Sequence, residues 1–286
     1  MIFRRVIFSQ FPSIFQNATR SWSAVAAPDL LGSISNITGG EIDPKIVNET
    51  LKLNPKLLEY DVQSWERVLT TLKNYGFPSY MLLPLVVNHP LVLRKPSDQI
   101  ISGLSKWNSS QFGERNIMKL ITKYPTLLEI NKDEGHIYER IARLQEYAET
   151  RKNVWTLLMN SPNVITDRIP AIESKIKYLR DTMKVELADV LKSEVFSKDL
   201  VKIRSRHIFL ERMGIYKTKG YKDDPSEINK NPKLYQIIDS SDKTFATKIA
   251  FATLEEYEVF EELYARELKE AAEESDLSDN DTDDES

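Results

Sequence analysis

One short phrase recurs along this chain and limits what it can fold into. Tyr124-Pro125-Thr126-Leu127-Leu128 returns, varied, as Asn54-Pro55-Lys56-Leu57-Leu58, His89-Pro90-Leu91-Val92-Leu93, Ser161-Pro162-Asn163-Val164-Ile165 and Asn231-Pro232-Lys233-Leu234-Tyr235. The prolines at 55, 90, 125 and 162 are 35, 35 and 37 residues apart. A fixed period in this range marks stacked supersecondary units, each covered by its neighbour because it cannot bury its own apolar face.

The residues between the prolines say what each unit contains. Ten, fourteen and seventeen positions after Pro55 stand Trp65, Leu69 and Leu72; after Pro90, Ile100, Leu104 and Trp107; after Pro162, Ile172, Ile176 and Leu179. With two residues inserted, Pro125 is followed by Ile137, Ile141 and Leu144. Steps of four and three describe one helix face. A second apolar triplet ends four residues before the next proline: Leu82, Leu85 and Val86; Ile117, Leu120 and Ile121; Val154, Leu157 and Leu158. Proline has no N–H to donate and pushes the preceding residue out of the helical region, so it stops this second helix. Its fixed φ also starts a short turn, whose apolar residues plug the seam to the next unit. Pro84 falls inside one second helix and is expected to kink it.

The pattern frays at its ends. Ile46, Val47, Thr50, Leu51 and Leu53 read as the second helix of an incomplete first unit. In the fifth unit Ser193-Glu194-Val195-Phe196 replaces the proline phrase, between Leu187, Val190 and Leu191 and the ladder Ile203, His207 and Leu210. The sixth, after Pro232, offers Asp242, Ala246 and Ile249, of which only Ile249 is a strong core residue, as befits a capping repeat.

The period also suits tetratricopeptide and pentatricopeptide arrays, but the tetratricopeptide pattern of Trp, Leu-Gly and Tyr is missing and those units lack a Pro-x-Leu-Leu plug. The phrase, its spacing and the paired helices resemble the mitochondrial transcription termination factor (mTERF) family. That resemblance covers roughly residues 40–270. It implies an all-α superhelical solenoid, of either hand, in which each repeat has two helices and a short 3-10 turn.

Composition narrows the chemistry. There is no cysteine, which removes disulfides, thiolate metal sites and cysteine nucleophiles together. Three histidines, His89, His136 and His207, are far apart in sequence, and no Gly-rich phosphate loop or nucleophile–base pair is visible. The expectation is a non-enzyme without cofactor or metal. His207 occupies a core slot and reads as packed and hydrogen-bonded; Trp65 and Trp107 sit on core stripes. No run approaches the ~18 apolar residues of a membrane span.

The net charge of −4 averages unlike regions. Residues 1–27 hold Arg4, Arg5 and Arg20 with no acid, among serines and bulky apolar residues, the composition of a mitochondrial transit peptide. Residues 267–286 hold ten acids and one base, Lys269. Removing both ends leaves 35 basic and 33 acidic residues, a body of net +2. From 273 to 286 the tail is too polar to offset the entropy of ordering and is expected to be disordered and solubilising. The repeat array is accordingly bounded at 40–272.

Two segments carry the functional expectation. Residues 200–222 contain Lys202, Arg204, Arg206, Arg212, Lys217, Lys219 and Lys222 against one acid, Glu211, with Phe209, Tyr216 and Tyr221 interleaved. Cations alternating with aromatic rings offer phosphate contacts and base stacking, so these seven are the candidate nucleic-acid ligands. The plainer reading is a solvated helix face. The last helix opens with a capping box at Thr253 and Glu256 and carries Leu254, Tyr257, Phe260, Leu263 and Tyr264 on one stripe. With no further repeat to cover it, the stripe either docks a protein partner or folds back on residues 244–252.

That terminal segment and the acidic tail resemble the fourth animal branch of the family, which is associated with a mitochondrial rRNA 5-methylcytosine methyltransferase and with large-subunit assembly. The resemblance implies a heterodimer with that enzyme, large-subunit rRNA as a ligand, and the mitochondrial matrix. The alternative is a double-stranded DNA binder regulating mitochondrial transcription termination or initiation, and a third reading is an interaction protein without nucleic acid. The modest body charge favours the RNA adaptor, because wrapping duplex DNA calls for a stronger positive groove.

Overall fold

The computed structural model describes residues 28–130, 134–218 and 230–280, and among them every regular element is helical. The all-α repeat fold expected from the periodicity is present. The chain divides into two compact units at Lys95.

In the first unit, α1 (Pro28–Thr38) and α2 (Pro44–Leu53) lead into the Pro55–Glu59 turn; α3 (Val62–Tyr75) and α4 (Ser79–Asn88) lead into the Pro90–Arg94 turn. The first repeat is complete rather than partial. α1 buries Leu30 and Ile34 and packs on α3, so the array begins at Pro28 and not at residue 40. Leu57, Val92 and Leu93 are buried as plugs. Trp65 fills the position ten residues after Pro55, fully buried, with its indole N–H donated to the Leu57 carbonyl at 3.4 Å. α3 ends at Gly76 in the left-handed region (φ 110°), which lets Phe77 N–H close back on the Leu72 carbonyl at 3.0 Å. α4 continues through Pro84.

The second unit holds α5 (Ser97–Ser105), α6 (Glu114–Lys123), α7 (Glu134–Ala148), α8 (Arg151–Asn160), the plug helix α9 (Asn163–Thr166), α10 (Ile169–Lys177) with a π-helical turn over Tyr178–Thr182, α11 (Leu187–Val190), α12 (Leu200–Arg212), α13 (Leu234–Ile238), α14 (Asp242–Thr244) with a π turn over Phe245–Ile249, and α15 (Leu254–Asn280). The Pro125–Glu129 plug presses on α5 so closely that a Cβ on Gly103 would lie 2.5 Å from the Leu128 carbonyl oxygen. In the degenerate fifth repeat the plug survives without its proline. Val195 and Phe196 are fully buried, and the Asp239 carboxylate accepts from the Ser193 hydroxyl (2.9 Å) and the Glu194 N–H (3.1 Å).

Toward the C-terminal end two expectations change and one holds. Ala246 and Phe245 are the buried residues of the last repeat, and Ile249 is only half-buried, because the π turn rotates the ladder. The capping box at Thr253 is present in both directions, Thr253 N–H to Glu256 Oε2 at 2.7 Å and Glu256 N–H to Thr253 Oγ1 at 3.2 Å. α15 then runs to Asn280, so the break expected at 273 is not a break in the helix. Residues 1–27, read as a leader, and residues 281–286 lie outside the described residues.

Candidate nucleic-acid interface

The repeats are joined by cations. In four of them a basic side chain on the first helix, 12 to 15 residues after the proline position, reaches the carbonyls that end the next plug. Arg67 donates to the Leu93 carbonyl at 2.8 Å; Arg140 to Ile165 at 2.5 Å and also to Asp167; Lys175 to Phe196 at 3.0 Å; Arg206 to Ile237 at 2.5 Å. Plug turns leave carbonyls without intrahelical partners, and a charged donor, buried at Arg140, Lys175 and Arg206 and exposed at Arg67, satisfies them.

This arrangement corrects the reading of residues 200–222. Arg206 is 3% exposed and donates to the Ile237, Ile238 and Ser240 carbonyls and to Asp242 Oδ1 at 2.7 Å, with its guanidinium over the Phe245 ring. It is a structural clamp, not a nucleic-acid ligand. Lys202 is likewise engaged, 2.6 Å from Asp242 and 2.8 Å from Glu261. Burial disfavours its charge, but the hydrogen bonds it donates to those two carboxylates outweigh this and hold its pKa above the usual lysine value. Arg212 is exposed and paired with Glu267 at 2.7 Å. Lys217 is exposed, and Lys219 and Lys222 lie outside the described residues. Arg204 is half-buried over the Tyr178 ring at 5.3 Å, on the side of α12 that faces α10.

The terminal stripe folds back. Tyr257 is fully buried, Phe260 and Tyr264 are nearly so, and Phe209 of α12 lies 5.2 Å from Tyr257 and 4.9 Å from Phe260. Burial pushes the Tyr257 hydroxyl pKa up to about 12, so it stays protonated and donates to Glu261 at 2.7 Å. These three aromatic residues are core and unavailable for docking. Leu254 is half-buried and Leu263 is exposed; with Val259, Leu263 forms the apolar part of the outward face.

His207 is buried as expected, its Nδ1 2.8 Å from the Tyr178 hydroxyl and its Nε2 3.5 Å from Glu211. Burial lowers its pKa below the usual histidine value, partly offset by Glu211.

Outside residues 200–222, one group of cations open to an anionic ligand lies on the first helices α7 and α10. A cleft of about 640 Å³ opens between α7 and α10, floored by Leu144, Val164 and Ile172 and rimmed by Arg143, Lys177 and Arg180. Arg140 forms its back wall. Lining it are four cations (Arg140, Arg143, Lys177, Arg180) and two carboxylates (Glu146, Glu173), a balance of +2. Arg143 lies 3.6 Å from Glu173, and Arg180 is held by its neighbour Asp181 at 2.7 Å. Burial raises the Tyr147 hydroxyl pKa to about 12, partly countered by Arg180. Arg204 on α12, over the Tyr178 ring, lies beyond the lining of this cleft. Sequence reading missed Arg143 and Arg180, although both stand eighteen residues after a repeat proline. Among the described residues no three His, Asp or Glu converge as metal ligands, and no helix is long and apolar enough to cross a membrane.

The repeat geometry has a counterpart among known proteins: residues 29–246 match the mTERF family model. The chain belongs to the mTERF family. The match runs from α1 to the π turn before α15, so the terminal helix lies beyond the matched mTERF repeats. A curated relative, mouse "Transcription termination factor 4, mitochondrial", is 23% identical over 247 residues, covering 85% of this chain and 60% of the relative. The chain therefore spans about 60% of that relative's length.

Proposed function

We propose that this mTERF protein is a non-catalytic, nucleic-acid-binding adaptor of mitochondria that engages large-subunit rRNA and brings an rRNA 5-methylcytosine methyltransferase to it. The observation that carries the binding role is the set of cations on three successive first helices: Arg143 and Lys177 with Arg180 around an open cleft of net positive lining, and Arg204 on α12 beyond it. A set spaced by helix packing matches a polyanionic backbone better than a point ligand. The mitochondrial setting is supported by the basic, acid-free composition of residues 1–27 and by the name of the mouse relative. The enzyme partner is assigned to the outward face of α15, where Val259 and Leu263 are 56% and 47% exposed.

The test is binding of the full chain to large-subunit rRNA fragments across a salt series. Arg143→Glu with Arg180→Glu and Arg204→Glu is expected to weaken binding and to lower the salt slope by about 2, at ~0.7 per lost single-strand contact. Unchanged affinity and slope refute the assignment. Val259→Glu with Leu263→Glu is expected to abolish co-purification of the methyltransferase while rRNA binding persists. The mouse relative's name favours one competing reading, a transcription factor on duplex DNA; recovery of mitochondrial DNA without rRNA from tagged protein would establish it.

A further inference from the structure

A second basic surface, independent of the cleft, lies on the second helices α6 and α8. Arg115, Lys119 and Lys123 are all exposed and stand four residues apart, so they form one stripe along α6. α8 lies beside it: Lys123 Nζ and the Tyr124 hydroxyl both donate to the Met159 carbonyl, at 2.6 and 2.9 Å. From α8, Lys152 is exposed and Arg151 half-buried. Glu114 and Glu149 are the acids flanking these helices, against five cations. Among the described residues Arg115, Lys119 and Lys152 have no carboxylate partner, whereas the rim cations Arg143 and Arg180 of the cleft are both paired.

At the end of the stripe sits a half-buried aromatic pair. Phe112 and Trp155 lie 5.4 Å apart at 54°, and the Arg151 guanidinium stands over Phe112 at 5.8 Å while donating to Gln111 Oε1 at 2.6 Å. Trp65 and Trp107, at core positions, are fully buried, so a partly open Trp155 departs from how this fold uses tryptophan. Cations without carboxylate partners at helical spacing and a half-buried indole are the two parts of a single-strand site: phosphates along the cations, a base against the exposed part of the ring. A duplex could use the cations but would keep its bases stacked and away from Trp155.

We propose that the α6–α8 face is a second nucleic-acid contact that takes single-stranded RNA, with Arg115, Lys119 and Lys123 on the backbone and Trp155 on a base. An acidic protein segment is the competing occupant, and it would have no use for the indole.

The experiment uses the full chain with an unstructured RNA and with a DNA duplex of equal length, in a salt series, reading fluorescence anisotropy and intrinsic tryptophan emission. The triple variant Arg115→Glu, Lys119→Glu, Lys123→Glu is expected to bind the RNA at least tenfold more weakly with its salt slope lowered by about 2. Wild type is expected to show emission quenching by RNA but not by duplex, and Trp155→Phe to lose that quenching while keeping its melting temperature. Unchanged RNA affinity and slope in the triple variant, as an acidic protein site would give, overturns the proposal. So does quenching that survives Trp155→Phe. Because the cleft is intact in both variants, a failure here leaves the α7–α10–α12 set standing, and loss confined to the cleft variant refutes only the present inference.

Discussion

Replacing Arg206 by Ala separates a clamp from a ligand. In the fold Arg206 donates to three carbonyls of the α13–α14 connection and to Asp242, all from a side chain 3% exposed. Its removal takes the side-chain donor from those carbonyls, two of them on buried residues, and leaves Asp242 with Lys202 as its remaining cation. Single hydrogen bonds to a charged group are worth ~1.5–3 kcal/mol and do not add, so the better guide is the ~3–5 kcal/mol lost when one partner of a buried pair is removed. At ~2–4 °C per kcal/mol in a chain of this size, the melting temperature should fall by roughly 6–20 °C. Hydrogen exchange should place the loosening in α13 and α14, whose amides lie on the far side of the clamp. Arg206→Lys should recover part of the loss, because one ammonium cannot reach the same fan of carbonyls. A melting temperature within about 2 °C of wild type, combined with weakened RNA binding, would refute the clamp and restore the surface reading.

Two further outcomes follow from the packing. Gly103→Ala places a methyl 2.5 Å from the Leu128 carbonyl oxygen, a backbone atom that cannot step aside, and should cost about 1–3 kcal/mol in chemical denaturation; a neutral result would mean the plug is not pressed on α5. His207 has a folded pKa below its unfolded value of ~6.5, so the unfolded chain takes up the proton first. Its contribution to stability is complete above pH ~6.5 and is lost as pH falls toward the folded pKa. The difference in stability between wild type and His207→Leu, measured from pH 8 downward to about pH 5, should therefore shift in favour of the variant below ~6.5; a flat difference contradicts a buried neutral imidazole.

The sequence by itself determined the repeat. Proline fixes φ and stops a helix wherever it stands, and apolar residues at steps of three and four define a buried face without reference to any partner, so Trp65, Ile137, Leu157 and their equivalents were readable as core. The clustering of cations in residues 200–222 was equally visible, but its meaning was not. Whether an arginine meets solvent or a carbonyl depends on which backbone the next repeat brings beside it. Arg206 meets the end of the next plug and is consumed as a clamp; Arg143 and Arg180, scattered in sequence, line one cleft because the fold sets α7 and α10 on its two sides. The same holds for α15, whose stripe was plain and whose cover, Phe209 on α12, is more than forty residues earlier in the chain. Local backbone rules are written residue by residue, whereas the partner of a long charged or aromatic side chain is chosen by packing. That choice is where the tertiary structure decided which cations could serve a ligand.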